Sequence, residues 1–232
     1  MLFEIPAGAK LRHEWKHLIS PADKQAIIDR LCVIAKPDPH YGDGEYHIRS
    51  LYFDNVYDKA LSERLNGVAV REKFRIRYYN ADPSYIMLEK KSKFNTLCDK
   101  RSARITQAEC QRIIDGDYEW LGTSDRQLLR ELYAKMRMEL LRPAVIVDYH
   151  RRAFVYGPGN VRVTIDDCVR TGLHATQMFD PVQTIPADIR KPIILEVKYD
   201  AFFPDIIRDA VQLPGSRTSS YSKYTACRLT DY

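Results

Sequence analysis

Charged and apolar residues alternate along several segments, and this two-residue period is the feature that most constrains the fold. In segment 73–77, Lys73, Arg75 and Arg77 alternate with Phe74 and Ile76. Because successive side chains of a strand point to opposite faces, the cations share one face and the apolar residues share the other. Four other segments combine Arg or Lys with a carboxylate in the same way: 12–16, 87–93, 161–166 and 195–198.

These segments belong to a larger set of predicted strands joined by turns and short helices. The strands are predicted at 11–18, 46–54, 70–79, 84–93, 101–105, 144–155, 161–167 and 193–199. The turn sequences at 80–83 and 157–160 predict hairpins, which make antiparallel neighbours. Helices are predicted after the N-cap signals at Ser20 and Thr106, over 123–141 and 204–213, and in the tail from Ser220. The pattern favours an α+β fold, a closed antiparallel β-barrel of about eight strands with short helices packed outside.

The charged rows have two interpretations. Antiparallel sheets usually turn such rows toward solvent. If the apolar rows instead pack against outer helices, the cationic rows line a tunnel, where like charges are tolerable only beside a counter-charge. A phosphate chain with a divalent metal supplies both signs. Arg binds phosphate oxygens with its planar fork, and carboxylates suit Mg²⁺ or Mn²⁺.

Composition limits the other possibilities. The 232 residues contain no linker or repeat, so one domain over 1–232 is predicted, and a net charge of +5 does not by itself indicate nucleic acid. The five cysteines show no CxxC spacing, so we expect neither a zinc site nor a disulfide framework, and a reducing cytoplasm is the simplest location. The sequence has no apolar run long enough to predict membrane insertion.

At these residues the chain resembles the VTC domain, the catalytic domain of the vacuolar transporter chaperone polyphosphate polymerase, within the triphosphate tunnel metalloenzyme (CYTH-like) superfamily. The resemblance extends from residue 12 to residue 224, in the family's order. Its segments are 12–16 (RHEWK), 50–54 (SLYFD), 74–79 (FRIRYY), 88–92 (LEKKS), 149–154 (YHRRAF), 195–198 (LEVK) and 221–224 (YSKY).

The resemblance implies a tunnel that binds ATP, triphosphate or polyphosphate with Mn²⁺ or Mg²⁺. It also implies transfer of the ATP γ-phosphate to a growing polyphosphate chain. Carried over by motif, the predicted site has three sets of residues. The catalytic phosphate contacts are Arg75, Arg77, Lys91 and Arg151; the substrate-binding residues are Lys16, Tyr149, Ser222 and Lys223; the metal ligands are Glu196, with Glu14 and Glu89 as second-rank candidates.

The first strand departs from the pattern of hydrolytic superfamily members, which begin with ExExK. Here Arg12 gives RxExK, which removes one carboxylate and favours the polymerase type. The alternatives are a triphosphatase or nucleoside triphosphate hydrolase of the same fold, and a non-catalytic sensor of polyphosphate or inositol polyphosphates. Tyr78, Tyr79 and Tyr149 beside cations would suit base stacking, but no nucleic-acid motif is present, so no nucleic-acid partner is expected.

Single residues keep plainer alternatives. Each predicted cation could be a solvated charge, and the register at Lys91 is ambiguous between neighbouring lysines. Glu196 could form a structural salt bridge to Lys198, and Tyr149 could be a core tyrosine. His150 is interpreted as structural.

Overall fold

Eight strands form one continuous antiparallel sheet in the computed structural model, which describes residues 11–38, 44–95, 97–213 and 218–230. The strand order is β1-β10-β8-β7-β3-β4-β5-β6, while β2 pairs with β7 and β9 pairs with β8. In chain order the strands are β1 (His13–Ile19), β2 (Lys36–Pro37), β3 (Tyr46–Asp54), β4 (Val70–Tyr79), β5 (Asp82–Phe94), β6 (Leu97–Ile105), β7 (Arg142–Tyr156), β8 (Val161–Thr171), β9 (Ile185–Pro186) and β10 (Ile193–Tyr199).

The two edges of this sheet, β1 and β6, meet at one end. The Arg12 amide donates to the Cys98 carbonyl at 3.2 Å, and the Cys98 amide donates to the Arg12 carbonyl at 3.3 Å. Within the described ranges this bridge is the one backbone pairing between the two edges, and no continuous ladder joins them. The α+β class and the antiparallel sheet are therefore confirmed, whereas a barrel closed by hydrogen bonds is not.

Among the described residues, six α-helices accompany the sheet. They are α1 (Pro21–Ile34), α2 (Lys59–Leu65), α3 (Gln107–Ile114), α4 (Gln127–Met138), α5 (Asp205–Val211) and α6 (Lys223–Leu229). The N-cap signals at Ser20 and Thr106 both form complete capping boxes. In the parts of the chain that the structure describes, no helix combines the length and apolar character needed to cross a membrane.

Some predicted boundaries were wrong. The helix predicted over 123–141 begins at Gln127 and ends at Met138, because a 3₁₀ helix occupies Glu119–Thr123 and Leu140 adopts a positive φ of 56°. The strand predicted at 101–105 begins at Leu97, where the polar residues that precede Arg101 hid its alternation from the sequence pattern.

The hydrophobic core lies between the sheet and its helices. Over β4 and β5, Phe74, Ile76 and Leu88 pack in one cluster with residues of α3 and α4, including Ile113 and Leu132. On the same face of the sheet, α1 and α5 pack on β8 and β10 in a second cluster that includes Ile27, Leu31, Val163, Leu195 and Ile207. The apolar rows therefore face α1, α3, α4 and α5. The charged rows face the opposite side of the sheet, where α2 and α6 pack in a third cluster that includes Tyr52 and Val147.

Candidate functional site

The charged side of the sheet surrounds a cavity of about 490 Å³. This volume is in the range of small-molecule binding sites. Three carboxylate residues line it: Glu14, Asp99 and Glu196. The cations that line it are far more numerous: Arg12, Lys16, Arg64, Arg71, Lys73, Arg75, Arg77, Lys91, Lys93, Lys100, Arg151, Arg162, Lys198 and Lys223. Such an excess of positive charge in a partly buried space suits a polyanion.

The residues predicted from the sequence come together here, with one exception. All four predicted catalytic residues, all four predicted substrate-binding residues, and Glu14 and Glu196 line the cavity. Glu89 is only 2% exposed and is not among the lining residues. Its carboxylate accepts hydrogen bonds from Arg75 Nε at 2.7 Å and from Lys100 Nζ at 3.0 Å, so it holds two cavity cations in place.

Arg75 and Arg77 project from β4 and are fixed by neighbours on both sides. Arg75 also donates through Nη1 to the Tyr52 hydroxyl at 2.8 Å. Arg77 donates through Nε to Ser50 Oγ at 3.0 Å and through Nη2 to the Tyr149 hydroxyl at 2.8 Å. Two to three of the five guanidinium donors are therefore used within the protein, and the others are left for a ligand.

Arg151 and Lys223 share a carboxylate that the sequence analysis did not single out. Asp166 on β8 is fully buried and accepts two hydrogen bonds from Arg151, at 2.6 and 2.7 Å, and one from Lys223 Nζ at 2.5 Å. Burial alone would raise the pKa of Asp166, but Arg151 and Lys223 hold it at about 2. Asp166 is therefore ionised at neutral pH and positions both cations.

The ring of Tyr149 lies among three of these cations. The Arg77 and Arg151 guanidinium carbons lie 5.8 and 5.4 Å from its centroid, and Lys223 Nζ lies 4.7 Å from it. The Tyr149 hydroxyl is bonded to Arg77, which is the paired hydroxyl expected of a core tyrosine. Its position at the cavity wall is compatible with substrate contact as well.

Glu14 and Glu196 stand on adjacent strands among three lysines. Lys16 Nζ lies 3.4 Å from Glu14 and 3.2 Å from Glu196, Lys91 Nζ lies 2.7 Å from Glu14, and Lys198 pairs with Glu196. Burial would raise the pKa of Glu196, but Lys198, Lys16 and Lys91 hold it well below its usual value. Burial and Glu196 oppose ionisation of Glu14, yet the same lysines lower its pKa as well. Both carboxylates are ionised at neutral pH.

The donors at this position fit a hard divalent cation. Carboxylate and hydroxyl oxygens are the ligands that Mg²⁺ and Mn²⁺ prefer. Thr164 is the cross-strand partner of Glu196, and its buried Oγ1 has no hydrogen-bond partner among the described residues. An unpaired buried hydroxyl costs free energy unless a bound group satisfies it. The salt bridge between Glu196 and Lys198, the plainer interpretation of Glu196, is also present.

Ser222 performs a structural task at the cavity edge. Its Oγ accepts a hydrogen bond from the Thr225 amide at 3.3 Å and so caps the N-terminus of α6. Lys223 is the first residue of that helix, so the cap helps to aim the ammonium group of Lys223 at Asp166.

Several residues in or beside the cavity were not assigned a role from the sequence. Lys73 and Asp166 belong to alternating rows that the sequence already shows, so that pattern was sufficient to find them. Burial, together with nearby Arg64 and Arg71, lowers the pKa of Lys73 to about 7. Arg64 lies on α2, which the sequence did not predict, so the pattern contained no signal for it.

Solved structures that are similar to this chain share little sequence identity with it. A candidate adenylate cyclase from Bacillus halodurans is 14% identical with a TM-score of 0.49, over 82% of this chain and 81% of that chain. A candidate adenylate cyclase from Vibrio parahaemolyticus is 10% identical with a TM-score of 0.45, over 87% and 82% of the two chains. A Pyrococcus horikoshii protein is 12% identical with a TM-score of 0.42, over 86% and 84%. No curated protein matched the sequence. The family model described as the VTC domain matches residues 11–230, and the chain therefore belongs to the VTC domain family.

Proposed function

We propose that this protein is a metal-dependent polyphosphate polymerase that transfers the γ-phosphate of ATP to a growing polyphosphate chain inside the basic cavity. One observation carries the proposal: cations from several strands converge on a single cavity beside two ionised carboxylates. A phosphate chain is the ligand whose charge and extended shape match this lining. Family membership supports the same substrate class.

The chain's own residues would supply alignment and charge. Phosphoryl transfer needs the attacking and leaving oxygens in line and needs charge on the transferred group to be cancelled. Arg75, Arg77, Lys91 and Arg151 would hold the phosphates in this line. Their anchors reduce the reorganisation needed when substrate enters, because the guanidinium groups are already fixed.

Lys16 and Lys223 would bind the terminal phosphates or the acceptor end of the chain. Tyr149 and Ser222 would add hydrogen bonds. Lys16, Lys91 and Lys198 neutralise Glu14 and Glu196 in the structure. Incoming phosphate oxygens offer these lysines a second acceptor, which would release the carboxylates for another cation.

Glu196, with Glu14, would hold Mn²⁺ or Mg²⁺. A divalent ion bound there would neutralise charge that develops on the phosphate oxygens. Glu89 is a weaker candidate, because Arg75 and Lys100 already engage its two oxygens.

Arg12 favours polymerase over hydrolase within this fold. Arg12 lines the cavity, and its Nε donates to Asp200 Oδ1 at 2.9 Å. By the motif resemblance, it stands at the first glutamate position of the ExExK strand of hydrolytic superfamily members. A cation at this position leaves fewer oxygen ligands for a second metal. The five free cysteines are compatible with work in a reducing cytoplasm.

The test is a long incubation of the protein with ATP and Mn²⁺ or Mg²⁺, with the products resolved on a gel stained for polyphosphate. The proposal expects a ladder of long chains and an equivalent amount of ADP, with no product when EDTA is added. Free phosphate without chains would identify a hydrolase instead. Saturable binding of polyphosphate without turnover of ATP would identify a sensor.

A further inference from the structure

A bulge between β7 and β8 places unusual side chains on the outer side of the sheet. Asp148 pairs with Arg170 and His150 pairs with Asp167, so two residues of β8 oppose one residue of β7. Cys168 is one of the two and has a positive φ of 50°. Such a bulge breaks the alternation of a strand and re-aims a side chain. Asp167 and Cys168, although consecutive, therefore both reach His150.

The three side chains form a cluster of mixed donors. An imidazole nitrogen of His150, a carboxylate oxygen of Asp167 and the sulfur of Cys168 all lie within 4.8 Å of one another. Glu45 Oε1 lies 3.0 Å from Nδ1 of His150. A carboxylate bound to one ring nitrogen orients the imidazole and increases its basicity as a ligand, which is how histidines in metal sites are commonly held.

We propose that His150, Asp167 and Cys168 form a zinc site on the outer side of the sheet, with Glu45 positioning His150. Nitrogen, oxygen and thiolate donors together suit a borderline-soft divalent ion and are unlike the all-oxygen set at Glu196. Ligands of tetrahedral zinc lie roughly 3.3–3.8 Å apart, given its bond lengths of about 2.0–2.3 Å. A spacing of at most 4.8 Å requires the side chains to close by about 1 Å, and Cys168 is exposed and His150 half-buried.

The ammonium group of Lys24 lies beside this cluster. It forms a close ion pair with Asp167 and lies 3.5 Å from Glu45 Oε2. A divalent ion would have to displace this ammonium group from Asp167. Lys24 is half-buried on α1, so its side chain has room to turn toward solvent. The structure therefore assigns Lys24 as a competitor of the metal, and its removal should strengthen binding.

The zinc site would stabilise the pairing of β7 and β8 and would not contact the substrate. His150 and Asp167 directly adjoin Arg151 and Asp166, the pair that faces the cavity. Zinc bound across β7 and β8 would hold the register of this pair. The expected consequence is stability, because a ligand that binds only the folded state raises its free energy of unfolding.

The experiment is a titration of the purified full chain with Co²⁺, followed by competition with Zn²⁺. Cobalt bound by a thiolate gives a sulfur-to-metal charge-transfer absorption in the near ultraviolet, and Zn²⁺ should abolish this band. The band should be lost in Cys168→Ser and should persist in Cys32→Ser and Cys98→Ser. Cys32 is an exposed cysteine outside the cluster, and Cys98 lines the cavity.

Two further variants sharpen the result. Lys24→Gln should bind Co²⁺ about tenfold more tightly than the native protein, and Glu45→Gln should bind it about tenfold more weakly. Glu196→Gln should leave the band unchanged, which separates this site from the cavity. Absence of the band in the native protein, its survival in Cys168→Ser, or weaker binding by Lys24→Gln would each overturn the proposal.

Discussion

Glu196 is the residue on which the metal dependence of the proposed reaction depends most directly. Replacing it with Gln keeps the shape but removes the charge that would hold the ion. We expect Glu196→Gln to lower metal-dependent phosphate incorporation from ATP at least about 100-fold, since charge stabilisation by a metal provides several kcal/mol. Binding of tripolyphosphate, measured by calorimetry without metal, should be retained, because the substitution removes one negative charge and the cavity remains cationic.

The matched control for this change is Glu119→Gln. Glu119 pairs with Arg137 at 3.3 Å on the outer surface, with 66% of its side chain exposed, so the same substitution there should leave incorporation unchanged. Full metal-dependent activity in Glu196→Gln would show that the metal is held elsewhere.

Asp166 gives the site a measurable dependence on pH. Its folded-state pKa of about 2 lies below the value of 3.8 expected in the unfolded chain. Ionised Asp166 therefore adds about 2 kcal/mol to the free energy of unfolding. This contribution is present above pH 4 and is lost as pH falls toward 2. Asp166→Asn should lower the free energy of unfolding at pH 7 by about 3 kcal/mol, because it leaves Arg151 and Lys223 without their buried counter-charge.

Urea denaturation of both proteins at pH 7, 4 and 2 checks this prediction. The difference between native protein and Asp166→Asn should shrink as pH falls from 4 to 2, while Asp125→Asn, at a fully solvated position, should show no difference at any pH. A constant difference across this range would mean that the ion pairs are not responsible.

The sequence predicted which residues face the cavity better than it predicted their partners. A period of two identifies the face of each strand side chain, and the family resemblance selected the ten predicted residues that line the cavity. It does not identify which cation meets which carboxylate. Lys223 is 57 residues from Asp166 along the chain, and only the packing of α6 against the sheet brings them together.

At the scale of elements, Ser222 has two roles at the start of α6: it caps the helix, and we propose that it binds substrate. Ser222→Ala removes the N-cap and should lower the free energy of unfolding by about 1 kcal/mol. Ser222→Asp keeps a capping oxygen but brings a negative charge to the cavity edge. We expect this variant to retain native stability and to bind tripolyphosphate at least about tenfold more weakly. Urea denaturation and calorimetry measure the two effects separately.

A different pattern would contradict this interpretation of Ser222. If Ser222→Asp binds tripolyphosphate as tightly as native protein, the serine does not face the ligand. Ser84→Asp is the matched control, because Ser84 is exposed in β5 outside the cavity lining and the change adds the same charge.

Strands and helices with local signals were predicted well. The strands at 46–54, 70–79 and 193–199 have the predicted bounds. Helix α2 was not predicted because a residue outside the helix accepts the hydrogen bonds of its first backbone amides. Asp54, at the end of β3, accepts hydrogen bonds from the Ala60 and Leu61 amides, whereas the local N-cap Asp58 forms no capping hydrogen bond through its side chain.

At the scale of the whole molecule, the fold gathers repelling charges that a ligand can neutralise. Many cations line one cavity, and burial together with Arg64 and Arg71 lowers the pKa of Lys73 to about 7, so its charged form is disfavoured there. A polyanion removes this cost and contacts several strands at once. Ligand binding should therefore stabilise the entire sheet and not one part of it.

We expect tripolyphosphate to raise the Tm by roughly 5–10 °C at a hundredfold excess over its Kd. Such an excess contributes about 2.7 kcal/mol, and about 1 kcal/mol shifts the Tm of a chain of this size by roughly 2–4 °C. The shift should saturate, exceed that given by inorganic phosphate at equal concentration, and shrink as salt rises. Lys91→Gln should reduce it, whereas Arg130→Gln, which removes the same charge from the exposed face of α4, should not. Equal effects of the two substitutions would mean that the Tm shift depends only on the net charge of the protein and that tripolyphosphate does not occupy the cavity.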